Sequence, residues 1–504
     1  MNIQVKSGEP TTTATDVLVC LDFEKEKTLG KHIKALDRTL DGQFTALFKS
    51  GEFQGKPNQT TLVHMNGKVS AKRILLVGVG SREDLTLERL RQAMGTAVKR
   101  VRQVKAKTFA CVMPDVPKSV GHAGTVAQVL VEGAILGDYR FTEYRTNDAE
   151  NGKTIQSCTL LASKDSDLTE IKAGTQCGQV LGEATCFVRD LCNHPANVMT
   201  PSRVVAEARK IARESKIRLK VLEKRDMEKL GMGGLLGVSR GSIEPPQFII
   251  LTYSGGRPTQ KPIVFVGKTV TFDSGGISLK PSENMEQMKA DMTGGAEVLA
   301  TVRAASRLKL PLNVVGILPV TENMPGGRAT KPGDILNMLS GKTVEVQNTD
   351  AEGRLILADG LAYASRLKPA CVIDIATLTG ACIVALGQFA IGLLGTDDSL
   401  KNDLRKAGDG AGERVWELPL WDDYFEQLKS DVADMRNIGG RGGGTITAAL
   451  FLKQFIGDYP WAHLDIASTD WSASERAYIS KGPTGIGTRL LIQFLLNKTN
   501  GSVR

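Results

Sequence analysis

Five stretches of this chain are apolar at nearly every position: F-I-I-L-T-Y (248–253), P-I-V-F-V-G (262–267), L-N-V-V-G-I-L-P-V (312–320), A-C-V-I-D-I-A (370–376) and W-A-H-L-D-I-A (461–467). They are short and do not alternate, which marks strands buried on both faces. Segments with helical spacing intervene, notably E-V-L-A-T-V-R-A-A-S-R-L (297–308) and R-L-I-L-A-D-G-L-A-Y-A-S-R-L (354–367). Strands separated by helices predict an α/β domain on a largely parallel central sheet flanked by helices. R-L-K-V-L-E (218–223) predicts one more strand, and Thr200 or Ser202 caps the helix after N-H-P-A-N-V-M-T-P-S (193–202).

Residues 1–160 show the same alternation, with strands predicted at 16–23, 73–80 and 108–113 and a helix over 85–102. At 504 residues the chain is too long for one ordinary core. Two α/β domains are therefore expected, an N-terminal one over 1–160 and a C-terminal catalytic one over 193–504, joined by a connecting helix over 161–192. The stretch T-N-D-A-E-N-G-K (146–153) reads as a loop. Of the net charge of +9, residues 1–160 hold +6, from 23 basic against 17 acidic side chains. Their densest run, K-R-V-R-Q-V-K-A-K (99–107), reads first as a solvated helix face and second as a weak nucleic-acid contact. No aromatic residue is interleaved with it, so stacking on bases has no support.

The eight cysteines are scattered without a C-x-x-C pair, and several sit inside apolar runs. Buried, reduced thiols are expected, with no disulfide framework or structural zinc. No apolar run approaches the roughly 20 residues of a membrane span, and M-N-I-Q-V-K-S-G lacks the apolar core of a signal peptide. A cytoplasmic location without a membrane partner is the expectation.

Charges stand at the ends of the apolar runs. V-G-K-T-V-T-F-D-S-G-G-I-S-L-K (266–280), M-K-A-D-M (288–292) and N-T-D-A-E-G-R (348–354) carry Lys268, Asp273, Lys280, Asp291, Asp350, Glu352 and Arg354. Strand ends deliver such groups to the rim of a sheet, where open α/β folds build their sites. V-G-K-T is no phosphate loop, because the required first glycine is Pro262. Four carboxylates drawn together are unfavourable unless cations neutralise them, so Asp273, Asp291, Asp350 and Glu352 predict a two-metal site. Oxygen ligands and few histidines suit Mg, Mn or Zn without a histidine-based zinc centre. A plainer alternative for 350–354 alone is a helix N-terminus with acids on its dipole. Desolvation beside cations can make Lys268 a ligand, while Lys280 and Arg354 stay charged and face a carbonyl oxygen that gains negative charge.

Together these motifs, with E-N-M-P-G-G (322–327), D-I-A-T-L-T-G-A (374–381) and W-A-H-L-D-I-A (461–467), resemble the leucine aminopeptidases of the cytosolic type, the M17 metallopeptidases, over the whole chain. The resemblance implies two divalent metals, Mn or Zn, bridged by Asp273 and Glu352. Lys268 and Asp291 would complete one site and Asp350 the other. Arg354 would hold a bicarbonate as general base, and Lys280 would polarise the peptide carbonyl. Met288, Thr377 and Ala467 would form the pocket for the first side chain, with the Leu378 and Gly380 backbone lining the groove. The implied activity is release of N-terminal residues, preferentially Leu or Met, from peptides by a metal-bridging hydroxide. The resemblance also implies a homohexamer with catalytic domains inside, and DNA as a second partner, since some bacterial members bind it. A two-metal phosphoesterase fits the carboxylates but neither the lysine ligand nor the apolar pocket. One departure is Thr269, where members of the family commonly carry glycine; an extended backbone is expected there.

Overall fold

In the computed structural model, which describes residues 1–24, 31–146, 155–163 and 166–500, the five apolar runs all become strands of one nine-stranded sheet. Its centre is parallel: Trp461–Asp465, Cys371–Ala376, Ile263–Gly267 and Asn313–Asn323 lie side by side. On one flank Gln247–Ser254 and then Ile217–Leu222 add antiparallel strands. On the other, Ile391–Gly395 runs antiparallel to Trp461–Asp465 and carries Val415–Glu417 in parallel. The last two strands escape the sequence pattern: Ile391–Gly395 contains two glycines and Val415–Glu417 is three residues long.

Helices cover both faces of this sheet. Along Asn313–Asn323, Val315 and Ile317 share an apolar cluster with Leu355, Ile356 and Leu361 of the helix Gly353–Ser365. Between them Gly316 points the other way, and its bare Cα is filled by Val298 and Val302 of the helix Thr293–Arg307. Alternate residues of a strand face opposite sides, so the two helices sandwich the sheet. The helix Pro201–Glu214 starts at Thr200, whose hydroxyl accepts the Arg203 amide.

The sheet parts at Lys268. Up to that point the strand Ile263–Gly267 pairs with both neighbours, Ile375 lying opposite Gly267. Beyond it Thr269–Asp273 stays with Val320–Asn323, with a register shift between Val270 and Asp273, while pairing with Cys371–Ala376 ends. A crevice outside the carboxyl ends of parallel strands is where such folds bind ligands. Thr269 is an ordinary strand residue, as expected; its hydroxyl donates to the Gly267 carbonyl (2.9 Å) and packs where a Cβ on Gly295 would stand.

Contacts divide the chain into two units, Met1–Glu183 with Ser474–Ser480, and Ala184–Ala473 with Lys481–Arg504. The division falls inside one helix, Leu168–Asn193. The first unit is a six-stranded sheet in the order Asn2–Ser7, Ser157–Ala162, Thr108–Val112, Val17–Asp22, Arg73–Gly78, Thr60–His64, parallel except for the last pair. Its helices Leu87–Gln103 and Ala123–Asp138 are both well buried. The segment Ser474–Ser480 comes from late in the sequence, yet Tyr478 seats against Gly95 and donates to Glu88 Oε1 (2.9 Å). The basic run at 99–107 is partly engaged, Lys99 with Glu475 (3.5 Å) and Arg102 with the Gly137 carbonyl (3.3 Å). The predicted loop at 146–153 lies, beyond Thr146, outside the described residues. All eight cysteines are free thiols, six of them buried. Among the described residues no helix is long and apolar enough to cross a membrane.

Candidate active site

Where the sheet parts, five segments converge. Lys268 ends the strand Ile263–Gly267, Asp273 closes Thr269–Asp273, Asp291 follows the short helix Met285–Ala290, and Asp350 and Glu352 precede the helix Gly353–Ser365. Thr377 follows the strand Cys371–Ala376. Carboxylate oxygens of Asp273, Asp350 and Glu352 come within 4.8 Å of one another. Lys268 Nζ reaches Asp291 Oδ1 (2.7 Å), Glu352 Oε1 (2.8 Å) and the Thr377 carbonyl (2.9 Å). Lys280 Nζ bridges Asp273 Oδ2 (2.8 Å) and Asp350 Oδ1 (2.5 Å). The loop that returns Lys280 to Asp273 turns at Gly275 and Gly276, at φ of 87° and 68°, a region that favours glycine.

Two lysines do not balance four acids, and the imbalance is visible. Lys268 is 3% and Glu352 1% exposed. Among the described residues, Asp291 Oδ2 and Glu352 Oε2 find no hydrogen-bond donor. Burial raises the Asp291 carboxyl well above the carboxylate range, with Lys268 pulling it back, and burial with Asp273 close by pushes Asp350 up to about 6. Burial works against the Lys268 ammonium, but Asp291 and Glu352 outweigh it and hold the group cationic. Unpartnered buried carboxylate oxygens in an all-oxygen setting with one amine nitrogen fit hard divalent cations.

Arg354 stands apart from the lysines. It is buried at the start of the helix Gly353–Ser365, gives Nη1 to the Asn437 carbonyl (2.9 Å), and burial lowers it to about 10. A cleft of about 490 Å³ opens over these groups. Lys268, Asp273, Lys280, Asp291, Asp350 and Arg354 line it, and so do Met288, Thr377, Leu378, Gly380 and Ala467, while Glu352 lies out of its lining. The structure thus brings all twelve expected residues into one locality.

Three contributors are not among the residues that the sequence reading singled out. Asn323 donates Nδ2 to Asp273 Oδ1 (2.8 Å) and to the Thr349 carbonyl (3.0 Å), fixing the acid against the loop that carries Asp350. Asn437 donates to the Asn348 carbonyl (2.6 Å) while its own carbonyl takes Arg354. Asp465 accepts Thr379 Oγ1 (2.7 Å) and the Ala467 amide (3.1 Å), so it shapes the loop that holds Ala467. Asp465 could have been suspected from the acid in W-A-H-L-D-I-A; a lone asparagine offers nothing of the kind.

Acids that share a cleft with two lysines at the split edge of an α/β sheet suit chemistry assisted by divalent cations. The profile of the cytosol aminopeptidase family's catalytic domain matches residues 186–492, and that of its N-terminal domain matches residues 17–148. A probable cytosol aminopeptidase of Geobacter sp. (strain M21) is 47% identical over 498 residues, covering 99% of this chain and 100% of the relative. One of Roseiflexus castenholzii is 45% identical over 501 residues, covering 99% and 100%. Among solved structures, the bottromycin maturation enzyme BotP in complex with Mn is similar, with a TM-score of 0.84 and 36% identity over 96% of this chain and 100% of that one. A tomato leucine aminopeptidase mutant gives a TM-score of 0.88 at 31% identity, over 99% and 96%. The chain belongs to the cytosol aminopeptidase family. It is a metal-dependent aminopeptidase.

Proposed function

We propose that this aminopeptidase removes N-terminal residues from peptides with a preference for Leu or Met, using two divalent cations held by Lys268, Asp273, Asp291, Asp350 and Glu352. The observation that carries the metal assignment is the pair of buried, donorless oxygens on Asp291 and Glu352 beside two further carboxylates. Asp273, Asp291, Asp350 and Glu352 would hold the ions, joined by Lys268 once it gives up the proton that Asp291 and Glu352 stabilise in the metal-free protein. Manganese or zinc is the proposed metal; the manganese complex of BotP supports the first. When bound, such ions supply an activated water as nucleophile and polarise the scissile carbonyl.

The chain's own residues do the rest. Lys280, partly open to the cleft and held cationic by Asp273 and Asp350, faces the carbonyl oxygen as charge develops there. Arg354, whose charge no carboxylate within salt-bridge distance takes up among the described residues, would hold a bicarbonate, which would supply a general base. Met288, Thr377 and Ala467 form the proposed pocket for the first side chain, and the Leu378 and Gly380 backbone guides the peptide. Thr377 is tied down by its own bond to Asp291 Oδ1 (2.7 Å), which couples pocket and metal site.

A cytoplasmic homohexamer is the proposed assembly and setting. DNA binding by the first unit is proposed on its surplus of positive charge alone, and the engagement of Lys99 and Arg102 reduces what is available for it. The deciding experiment is hydrolysis of leucyl- and methionyl-anilides after exhaustive chelation and after return of Mn or Zn. Activity indifferent to the chelator removes the metal assignment, and leucyl and methionyl substrates no better than glycyl remove the stated preference.

A further inference from the structure

Asp470 is an acid in the cleft that the chemistry above does not use. It lines the cavity with Trp471, Met288 and Ala467, three residues after Ala467 on the same loop. It lies outside the cluster of Asp273, Asp350 and Glu352, and unlike Asp291 it makes no ion pair with Lys268. No lysine or arginine lies within salt-bridge distance of it among the described residues. The groups that bear on it electrostatically are Asp465, which repels, and Lys268, which is already committed to Asp291 and Glu352. Burial, with Asp465 adding to it, pushes the Asp470 carboxyl up to about 8, although Lys268 and the amides of Asp470 and Trp471 pull the other way.

A second acid deepens the same deficit. Glu297 is 0% exposed, neither of its carboxylate oxygens has a hydrogen-bond partner, and Glu413 and Asp470 both raise its carboxyl beyond what burial does. Glu413 is balanced by Arg489 (3.0 Å); Glu297 has no such partner among the described residues. Next to Asp470, Trp471 offers an aromatic surface, to which cations are attracted.

We propose that the side-chain pocket also accepts basic first residues, with the Asp470 carboxylate taking the ammonium of lysine or the guanidinium of arginine. The proposal rests on the aminopeptidase pocket set out above and names a second substrate class for it. Met288 and Ala467 line the same cleft as Asp470, so the apolar stem of lysine would have a surface to pack on beside the carboxylate. A cation arriving beside Asp470 favours the ionised form of its raised carboxyl and supplies the positive charge it lacks.

The test compares lysyl-anilide with norleucyl-anilide, whose chain has almost the same shape without the charge, on the manganese-loaded full-length enzyme. Wild-type enzyme is expected to cleave the lysyl substrate with kcat/KM at least equal to that for norleucyl. In Asp470→Asn the lysyl-to-norleucyl ratio should fall about tenfold or more, the scale of a charge-assisted hydrogen bond. Wild-type enzyme that cleaves leucyl and norleucyl but discriminates strongly against lysyl overturns the inference and leaves the peptidase reading standing. So does a ratio in Asp470→Asn equal to that of wild type. If none of the three substrates is cleaved, the peptidase reading falls and this inference with it. The wild-type comparison needs no variant to fold, and a melting curve checks that Asp470→Asn does.

Discussion

Lys268 and Lys280 carry the same charge in different surroundings. Lys268 is almost wholly buried between Asp291 and Glu352, whereas Lys280 stands partly open over Asp273 and Asp350. Removing the first leaves buried carboxylates without a counter-ion, a loss on the order of 3–5 kcal/mol. Lys268→Met should therefore lower the melting temperature of the metal-free protein well beyond what Lys280→Met does, and equal shifts would show that burial does not set the difference. In the metal-loaded enzyme Lys280 acts at the carbonyl: Lys280→Ala should cost about 100-fold in kcat with little change in melting, and an unchanged kcat would remove it from that role. Asp359 gives a pH prediction. Burial raises it from 3.8 to about 7 even though the amides of Leu339, Leu235 and Gly234 pull the other way. A carboxyl raised by folding contributes stability in full below about 4, and that contribution is lost as pH rises through about 7. The melting temperature of the metal-free protein should fall between pH 5 and 8, and Asp359→Asn should flatten part of that slope; a slope left unchanged by the substitution would show that this group does not set it. At this scale the charged residues were legible because strand-end acids have few other uses. Asn323 and Asn437 were not, since a neutral amide that braces a ligand leaves no spacing or charge pattern to read.

Elements place these residues, and they do so with little tolerance. A Cβ on Gly353 would stand 2.5 Å from Lys268 Cε and 2.9 Å from its Nζ. Lys268 cannot swing aside without leaving Asp291, Glu352 and the Thr377 carbonyl. Gly353→Ala should accordingly cut kcat at least about tenfold while the helix Gly353–Ser365 persists, because alanine is a better helix former than glycine. Far-ultraviolet circular dichroism beside activity checks this, and full activity would show that Lys268 has room the structure denies it. Thr269 makes the converse point: its side chain is accommodated because Gly295 has none. The parallel core was readable from continuous apolar runs, which only doubly covered strands sustain. The flanking strands Ile391–Gly395 and Val415–Glu417 were not, because the first is interrupted by glycine and the second is short enough to be fixed by its neighbours alone. The parting of the sheet at Lys268 was also hidden, since pairing is a property of two segments and not of either sequence.

For the whole molecule, metal is expected to be a stabiliser as well as a reagent. An ion bound only by the folded chain at a hundred times its dissociation constant adds about 2.7 kcal/mol. Chelation should lower the thermal midpoint, return of Mn or Zn should restore it together with activity, and a midpoint deaf to both would contradict a site whose acids are short of positive charge. One consequence concerns the order in which the polypeptide is made. The first unit includes Ser474–Ser480, and Tyr478 closes over Gly95 and Glu88. A ribosome therefore makes everything between Glu183 and Ser474 before this unit can be finished. Until then the helix surface around Gly95 waits uncovered, and a nascent chain stalled anywhere upstream of residue 474 exposes it to whatever chaperone stands at the exit tunnel.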